Sequence, residues 1–239
     1  MHLTSFKLYY RLKIQAWWIY LKSFQNLILL QNLYRLKAIG FEYIDHFSLN
    51  DNYDDNTTPH TLEELVKQIQ TCHLCDLSKS RRQSMPGFGS SNARVVILDY
   101  MVSQVQDANN DYYSGRSGES LKNMIEKVIG LSIEDVYLTH VIKCKPLQSN
   151  HPSSSEVQSC KQYLQAQLDF IKPNVIVTLG ADAYQALTDD SDNFENVRGH
   201  IIDFKKYKLV PIYHPQFLLR NPELKKITLR DLQTIKSCL

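Results

Sequence analysis

Four short apolar runs constrain this chain more than any other feature of its sequence. They are 94–99 (RVVILD), 136–142 (VYLTHVI), 174–179 (NVIVTL) and 208–213 (KLVPIY). Each reads as a strand, and the segments between them read as helices. Residues 119–129 suit a helix, as do 154–171, with Ser153 to Ser155 as cap candidates. Gly180 opens a further helix toward Leu187, and a loop and a C-terminal helix follow the last strand. Ahead of the first strand, Thr61 has Glu64 three residues on, the spacing of a capping box. Strands separated by helices demand parallel crossovers with helices on both sheet faces. The expected class is therefore α/β: a three-layer α/β/α sandwich around a central parallel four-stranded sheet, preceded by a helical extension. Ligands of such sheets bind beyond the carboxyl ends of the strands. Chemistry is expected in the segments after Leu98, Ile142, Leu179 and Tyr213.

Residues 1–60 have a different character. The first 40 carry six Lys/Arg and no acid, and 41–60 carry five acids and no Lys/Arg. The remaining 179 residues hold 21 basic and 20 acidic groups, so the formal net charge of +2 conceals a basic arm, an acidic patch and a nearly neutral body. This predicts a boundary near residue 60, with a helical basic extension and acidic linker over 1–60 and the α/β domain over 61–239. The run 27–39 suits a helix that Gly40 can stop, and Trp17 and Trp18 fall in another helical stretch. Docking on the chain's own core is favoured for this arm over a membrane surface. No apolar run reaches the roughly 18–20 residues of a membrane span. The best stretch, 14–30, is interrupted by Gln15, Lys22, Gln25 and Asn26. A cytoplasmic monomer with reduced thiols is expected.

Five cysteines are too few for a disulfide scaffold in a chain of 239 residues. Cys72 and Cys75 form a C-x-x-C, Cys144 follows a predicted strand, and Cys160 lies in a predicted helix. On spacing alone, metal binding, a redox dithiol and unrelated buried thiols all stay open. Cys238 reads as an inert thiol.

Six blocks, taken in order, resemble the family 4 uracil-DNA glycosylases. They are CHLCDLSKSRRQSMPGFGSSNARVVI (72–97), VYLTHVIKCKP (136–146), CKQYL (160–164), PNVIVTLG (173–180), RG (198–199) and HPQFLLRNP (214–222). The resemblance spans about 25–239. It implies that Cys72, Cys75, Cys144 and Cys160 hold a [4Fe–4S] cluster of mainly structural use, anchoring loops near DNA. It also implies DNA as the partner.

Cleaving a uracil N-glycosidic bond requires the base to leave the stack, the departing anion to be stabilised, and positive charge on the sugar to be met. His214 is the expected stabiliser of the leaving group, since the matching histidine of the family contacts a uracil carbonyl oxygen. Tyr113 is expected to stack on the flipped base, with Gly115 allowing close backbone approach. His140 is expected to read the base edge. Arg116, Pro215, Leu218, Leu219 and Arg220 are expected at the DNA, with Leu218 or Leu219 as a wedge between bases; Lys143 and Lys145 are further candidate contacts.

Two departures from the family pattern stand out. The G-E-A-P-G segment after the first strand is here DYMVS (99–103), which leaves Asp99, or Asp107 further on, as the available acids. His140 stands where family members usually carry Asn. The expected function is a DNA-repair glycosylase acting on uracil or a related damaged base. The alternative is an Fe–S DNA-binding or scaffold protein that has kept the fold and lost the reaction.

Overall fold

The computed structural model describes residues 59–146 and 151–239. Of the predicted extension only Pro59 and His60 fall among them; the basic arm, the tryptophans and most of the acidic linker lie outside the described residues. Helix α1 (Leu62–Gln70) begins at Thr61, whose side chain accepts from the Glu64 N–H at 3.2 Å. The reciprocal bond differs from the expected box, because Glu64 reaches back to the His60 N–H at 2.7 Å. A short helix α2 (Leu77–Ser80) and strand β1 (Phe88–Gly89) lead to β2 (Val95–Met101). Then come α3 (Gln104–Asn109) and α4 (Gly115–Asn123), which runs into a π-helical turn, Met124–Ile129. Strand β3 (Val136–Ile142) precedes α5 (Ser154–Ile171), and β4 (Val175–Leu179) precedes α6 (Gly180–Thr188). Helix α7 (Phe194–Val197), strands β5 (Ile202–Phe204) and β6 (Tyr207–Ile212), α8 (Pro215–Arg220), the turn Pro222–Leu224 and α9 (Lys225–Ser237) complete the chain.

The sheet order is β1-β3-β2-β4-β6-β5. The four central strands are parallel, as the pattern predicts. The expected count of four is corrected to six, because β1 and β5 add antiparallel edges. Both are short and largely exposed, so neither carries the apolar run that reveals a central strand.

The strand periodicity of two explains the layers. Val95 and Ile97 of β2 enter one core with Leu121, Ile125 and Leu232. Val96 and Leu98 enter the other with Leu164, Leu168 and Tyr184. Helices α4 and α9 thus cover one face, and α5 and α6 the other. Ser153 caps α5 in a complete capping box with Glu156. Among the described residues no helix is long and apolar enough to cross a membrane.

Candidate active site and cysteine site

Asp99 and His140 are direct register partners on the neighbouring parallel strands β2 and β3. His214 follows the carboxyl end of β6 and is the N-cap of α8, with Pro215 at the first helical position. These placements bring the His214 Nε2 to 3.3 Å from the Asp99 carboxylate, and the His140 Nε2 to 3.9 Å from it. The Gln216 N–H donates to His214 Nδ1 at 3.0 Å. That bond makes Nδ1 an acceptor and leaves the proton on Nε2, directed at Asp99. Gly180 makes room for this arrangement. Its φ is +84°, and a Cβ there would stand 3.3 Å from the His214 Cβ.

The electrostatics of the three groups are coupled. Burial opposes ionisation of Asp99, but the charge and hydrogen bond of His214, helped by His140 and the Tyr100 N–H, hold its carboxyl below the usual range. Burial likewise opposes charge on His214, and Asp99 with Asp182 outweighs it, so that its affinity for a proton is raised. His140 goes the other way: burial, with Lys143 and His214, pushes it down to about 4 despite Asp99. It is neutral at pH 7, and neither ring nitrogen has a hydrogen-bond partner. The Tyr112 ring stacks on it at 5.6 Å and 28°.

A cavity of about 890 Å3 opens over this group. Asp99, Gly115, Arg116, His214, Pro215 and Leu219 line it, as does Asp182. The amino end of α4, through Gly115–Arg116–Ser117–Gly118, faces it, a setting that favours anions. Tyr213 and Phe194 form a further wall. Tyr213 donates to Glu195 at 2.7 Å and lies under Arg198, which is locked to Asp231 at 2.6 Å. Phe217 stacks on Tyr213 at 5.3 Å and stays 45% exposed at the rim.

Several expected residues are placed elsewhere. Tyr113 does not line the cavity; it packs beside the core under α4, and Tyr112 supplies the aromatic wall instead. Adjacent tyrosines in a turn face opposite ways, and the sequence does not say which faces in. His140 lies beneath Tyr112 with no exposed surface, so in this arrangement it does not reach a base edge directly. Leu218 is 0% exposed and cannot be the wedge; Phe217 and Leu219 on either side of it are exposed. Asp107 lies in the first turn of α3, away from the cavity wall, with Oδ1 buried and unpartnered. Arg220 is exposed but off the wall. Lys143 is buried, with Nζ bonded to Thr139 Oγ1 at 3.0 Å and to the His140 carbonyl, so it is no DNA contact. Lys143 directly follows β3, which is buried along its whole length, and continues that burial.

The four cysteines Cys72, Cys75, Cys144 and Cys160 line one mostly apolar pocket with Ile69, Leu74 and Tyr163. None is in a disulfide. All four sulfurs already receive donors: Leu74 N–H to Cys72 at 3.5 Å, Leu77 N–H to Cys75, Arg81 Nη1 to Cys144 at 3.2 Å, and Lys143 N–H to Cys160 at 3.4 Å. Such donors stabilise thiolate ligands and tune iron–sulfur clusters. Burial pushes the Cys144 thiol up to about 11 and raises Cys75 and Cys160, so the pocket needs positive charge to hold thiolates. Among the described residues no three His, Cys, Asp or Glu side chains close on a single metal ion. Four thiols converging on one buried pocket, with N–H donors aimed at their sulfurs, are a donor set of the kind that holds an iron–sulfur cluster.

The family model "Uracil DNA glycosylase superfamily" matches residues 86–233. A type-4 uracil-DNA glycosylase of Archaeoglobus fulgidus is 34% identical over 183 residues, covering 73% of this chain and 92% of that protein. One of Thermotoga maritima is 33% identical, covering 74% and 96%. A DNA polymerase of Bacillus phage SP01 is 26% identical over 166 residues, which are 70% of this chain and 18% of that protein.

Proposed function

The chain belongs to the uracil DNA glycosylase superfamily, and we propose that it hydrolyses the N-glycosidic bond of uracil in DNA through the Asp99–His214 pair. The observation that carries this reading is the 3.3 Å contact between His214 Nε2 and Asp99 at the floor of a cavity large enough for a nucleotide. A flipped base enters the cavity along the wall that Tyr112 closes, the ring itself being stacked between His140 and Phe88. The His214 Nε2–H passes from Asp99 to the carbonyl oxygen of the base and stabilises the charge that develops as the bond breaks. Asp99, kept ionised, then faces the cationic sugar, orients the water that attacks it and takes up that water's proton as the C–O bond forms. The amino end of α4 with Arg116 receives a phosphate of the flipped nucleotide, and Phe217 and Leu219 fill the gap in the stack. Gly115 and Pro215 shape that wall.

Cys72, Cys75, Cys144 and Cys160 would hold the [4Fe–4S] cluster, which supplies a structural anchor and takes no part in bond cleavage. The N–H···S donors and the convergence of the four thiols on one pocket support that assignment.

A second reading, a DNA-binding protein without the reaction, is favoured by one observation: His214 spends its Nε2–H on a carboxylate where the leaving anion needs it. Release of uracil from single- and double-stranded DNA by cluster-loaded protein separates the two. Asp99→Asn is expected to slow release by about one to two orders of magnitude, in line with loss of one positioned charge. No release by the unmodified protein would overturn the enzymatic reading.

A further inference from the structure

A second concavity, about 700 Å3, lies on the other side of Tyr112, which walls both. Gln70, Arg81, Arg82, Gln83, Ser84 and Phe88 are among the residues that line it. The segment 81–88 is fixed from below. The Met85 N–H donates to the Lys143 carbonyl at 2.7 Å, Thr139 Oγ1 donates to the Pro86 carbonyl at 3.1 Å, and the Gly87 N–H donates to Tyr112 Oη at 2.6 Å. Gly87 has φ +147°, and a Cβ there would stand 2.2 Å from Tyr137 Oη, so only glycine lets the segment lie this close to β3.

Against this rigid base three groups stand idle. Arg81 is spent, on the Gln70 and Cys72 carbonyls and on Cys144 Sγ. Arg82 gives one N–H to the Ala108 carbonyl at 3.1 Å, and its other donors have no partner among the described residues. Ser84 is 7% exposed, and its buried Oγ has no hydrogen-bond partner. Phe88 is exposed, and its ring stacks on Tyr112 at 6.0 Å and 27°. The one acid in the wall, Asp111, accepts the Tyr113 N–H at 3.0 Å. A preorganised floor, an unpartnered buried hydroxyl, an under-used guanidinium and an open aromatic face together describe a subsite for one nucleotide of a single strand.

We propose that this concavity binds a backbone phosphodiester of the same DNA strand that places its base in the reaction cavity, with Arg82 and Ser84 donating to the non-bridging oxygens. This rests on the functional reading above. A free phosphate presents the same oxygens, so the test separates the two sources.

Single-stranded oligonucleotides carrying uncleavable 2′-fluoro-deoxyuridine, with one neutral methylphosphonate placed in turn at each flanking phosphate, are titrated against cluster-loaded wild type, Arg82→Gln, Arg82→Lys and Ser84→Ala. At one position the methylphosphonate weakens wild-type binding about tenfold, a charge-assisted contact. Arg82→Gln weakens unmodified DNA by a similar factor, lowers the salt slope by about 0.7, and no longer senses that position. Arg82→Lys restores part of both, and Ser84→Ala shows a smaller loss at the same position. The proposal is overturned if Arg82→Gln keeps wild-type affinity and salt slope. It is overturned equally if its loss is the same whichever phosphate is neutralised, or if inorganic phosphate binds there while DNA affinity ignores Arg82. Uracil release by wild type on ordinary substrate is read in parallel; its absence, with the methylphosphonate pattern intact, removes the reaction and leaves the phosphate site standing.

Discussion

The cysteine pocket and the reaction cavity sit at the same end of the sheet and are built on opposite terms. Around the cysteines, sulfurs already receive N–H donors, and the neighbouring polar groups, Arg81 and Lys143, are fully employed. At the floor of the reaction cavity His214 Nε2 shares its proton with Asp99 across a long 3.3 Å contact, and behind its Tyr112 wall both nitrogens of His140 are buried without partners. One region has its donors and acceptors matched, and the other holds unpaired polarity in reserve. Buried unpaired groups cost about 1–3 kcal/mol each, and functional sites are where such costs are tolerated. The contrast teaches that the first region is built to stay fixed and the second to meet a ligand.

The comparison breaks most sharply at His214. His214→Ala should lower single-turnover uracil release by about 100- to 1000-fold, the usual effect of losing one donor to a developing anion. Binding of uncleavable DNA should stay within a few-fold, measured by anisotropy. If release persists, the cavity is not the reaction site. On the other side, Cys144→Ser removes the best-supported sulfur. It should bleach absorption near 400 nm and lower the Tm by about 10 °C, on the order of 3 kcal/mol for a domain of this size. A variant that melts as wild type would show the pocket to be as idle as the cavity.

His140 gives a third test, by pH. The unfolded residue takes a proton near pH 6.5, whereas the folded one refuses it until about 4. Between those values the unfolded chain binds more protons at this residue, so His140 lowers stability as the pH drops by up to a few kcal/mol, against an opposite contribution from His214, whose raised proton affinity adds stability on acidification. Asp99 adds to the loss at lower pH, since its depressed carboxyl must be protonated there. Urea melts at pH 7 and 4.5 measure this, and His140→Asn should flatten the difference. The smallest effect is expected at the rim. Phe217→Ala should slow release from double-stranded DNA a few-fold and leave single-stranded substrate nearly unchanged, because only a duplex needs the gap filled.

Much of this was legible in the sequence, and the exceptions have physical causes. The four central strands stood out because both faces are buried, which writes a continuous apolar run; β1 and β5 are edges and write none. The four cysteines were grouped by the resemblance and not by their spacing, because the distance between Cys75, Cys144 and Cys160 along the chain says nothing of their convergence; the fold brings them to one pocket. Asp99 and His214 were legible because strand ends place them at the mouth of the sheet. Tyr112 against Tyr113, and Leu218 against Phe217 and Leu219, were not, because neighbours in a turn or a short helix differ only in facing, and facing is decided by packing partners far away in the chain. Lys143 read as a surface cation and proved to be an internal strut.

Strand β3 carries His140 within it and Cys144 two residues past its end. Four residues of extended chain span about 13 Å, and the Lys143 ammonium clips this stretch to itself through the His140 carbonyl. The stretch from His140 to Cys144 is therefore one short tether, with a thiol of the cysteine pocket at its far end and, at its near end, the buried imidazole that packs behind the Tyr112 wall of the cavity. A change at the thiol pocket thus has a covalent path of four residues to the imidazole on which the Tyr112 ring stacks.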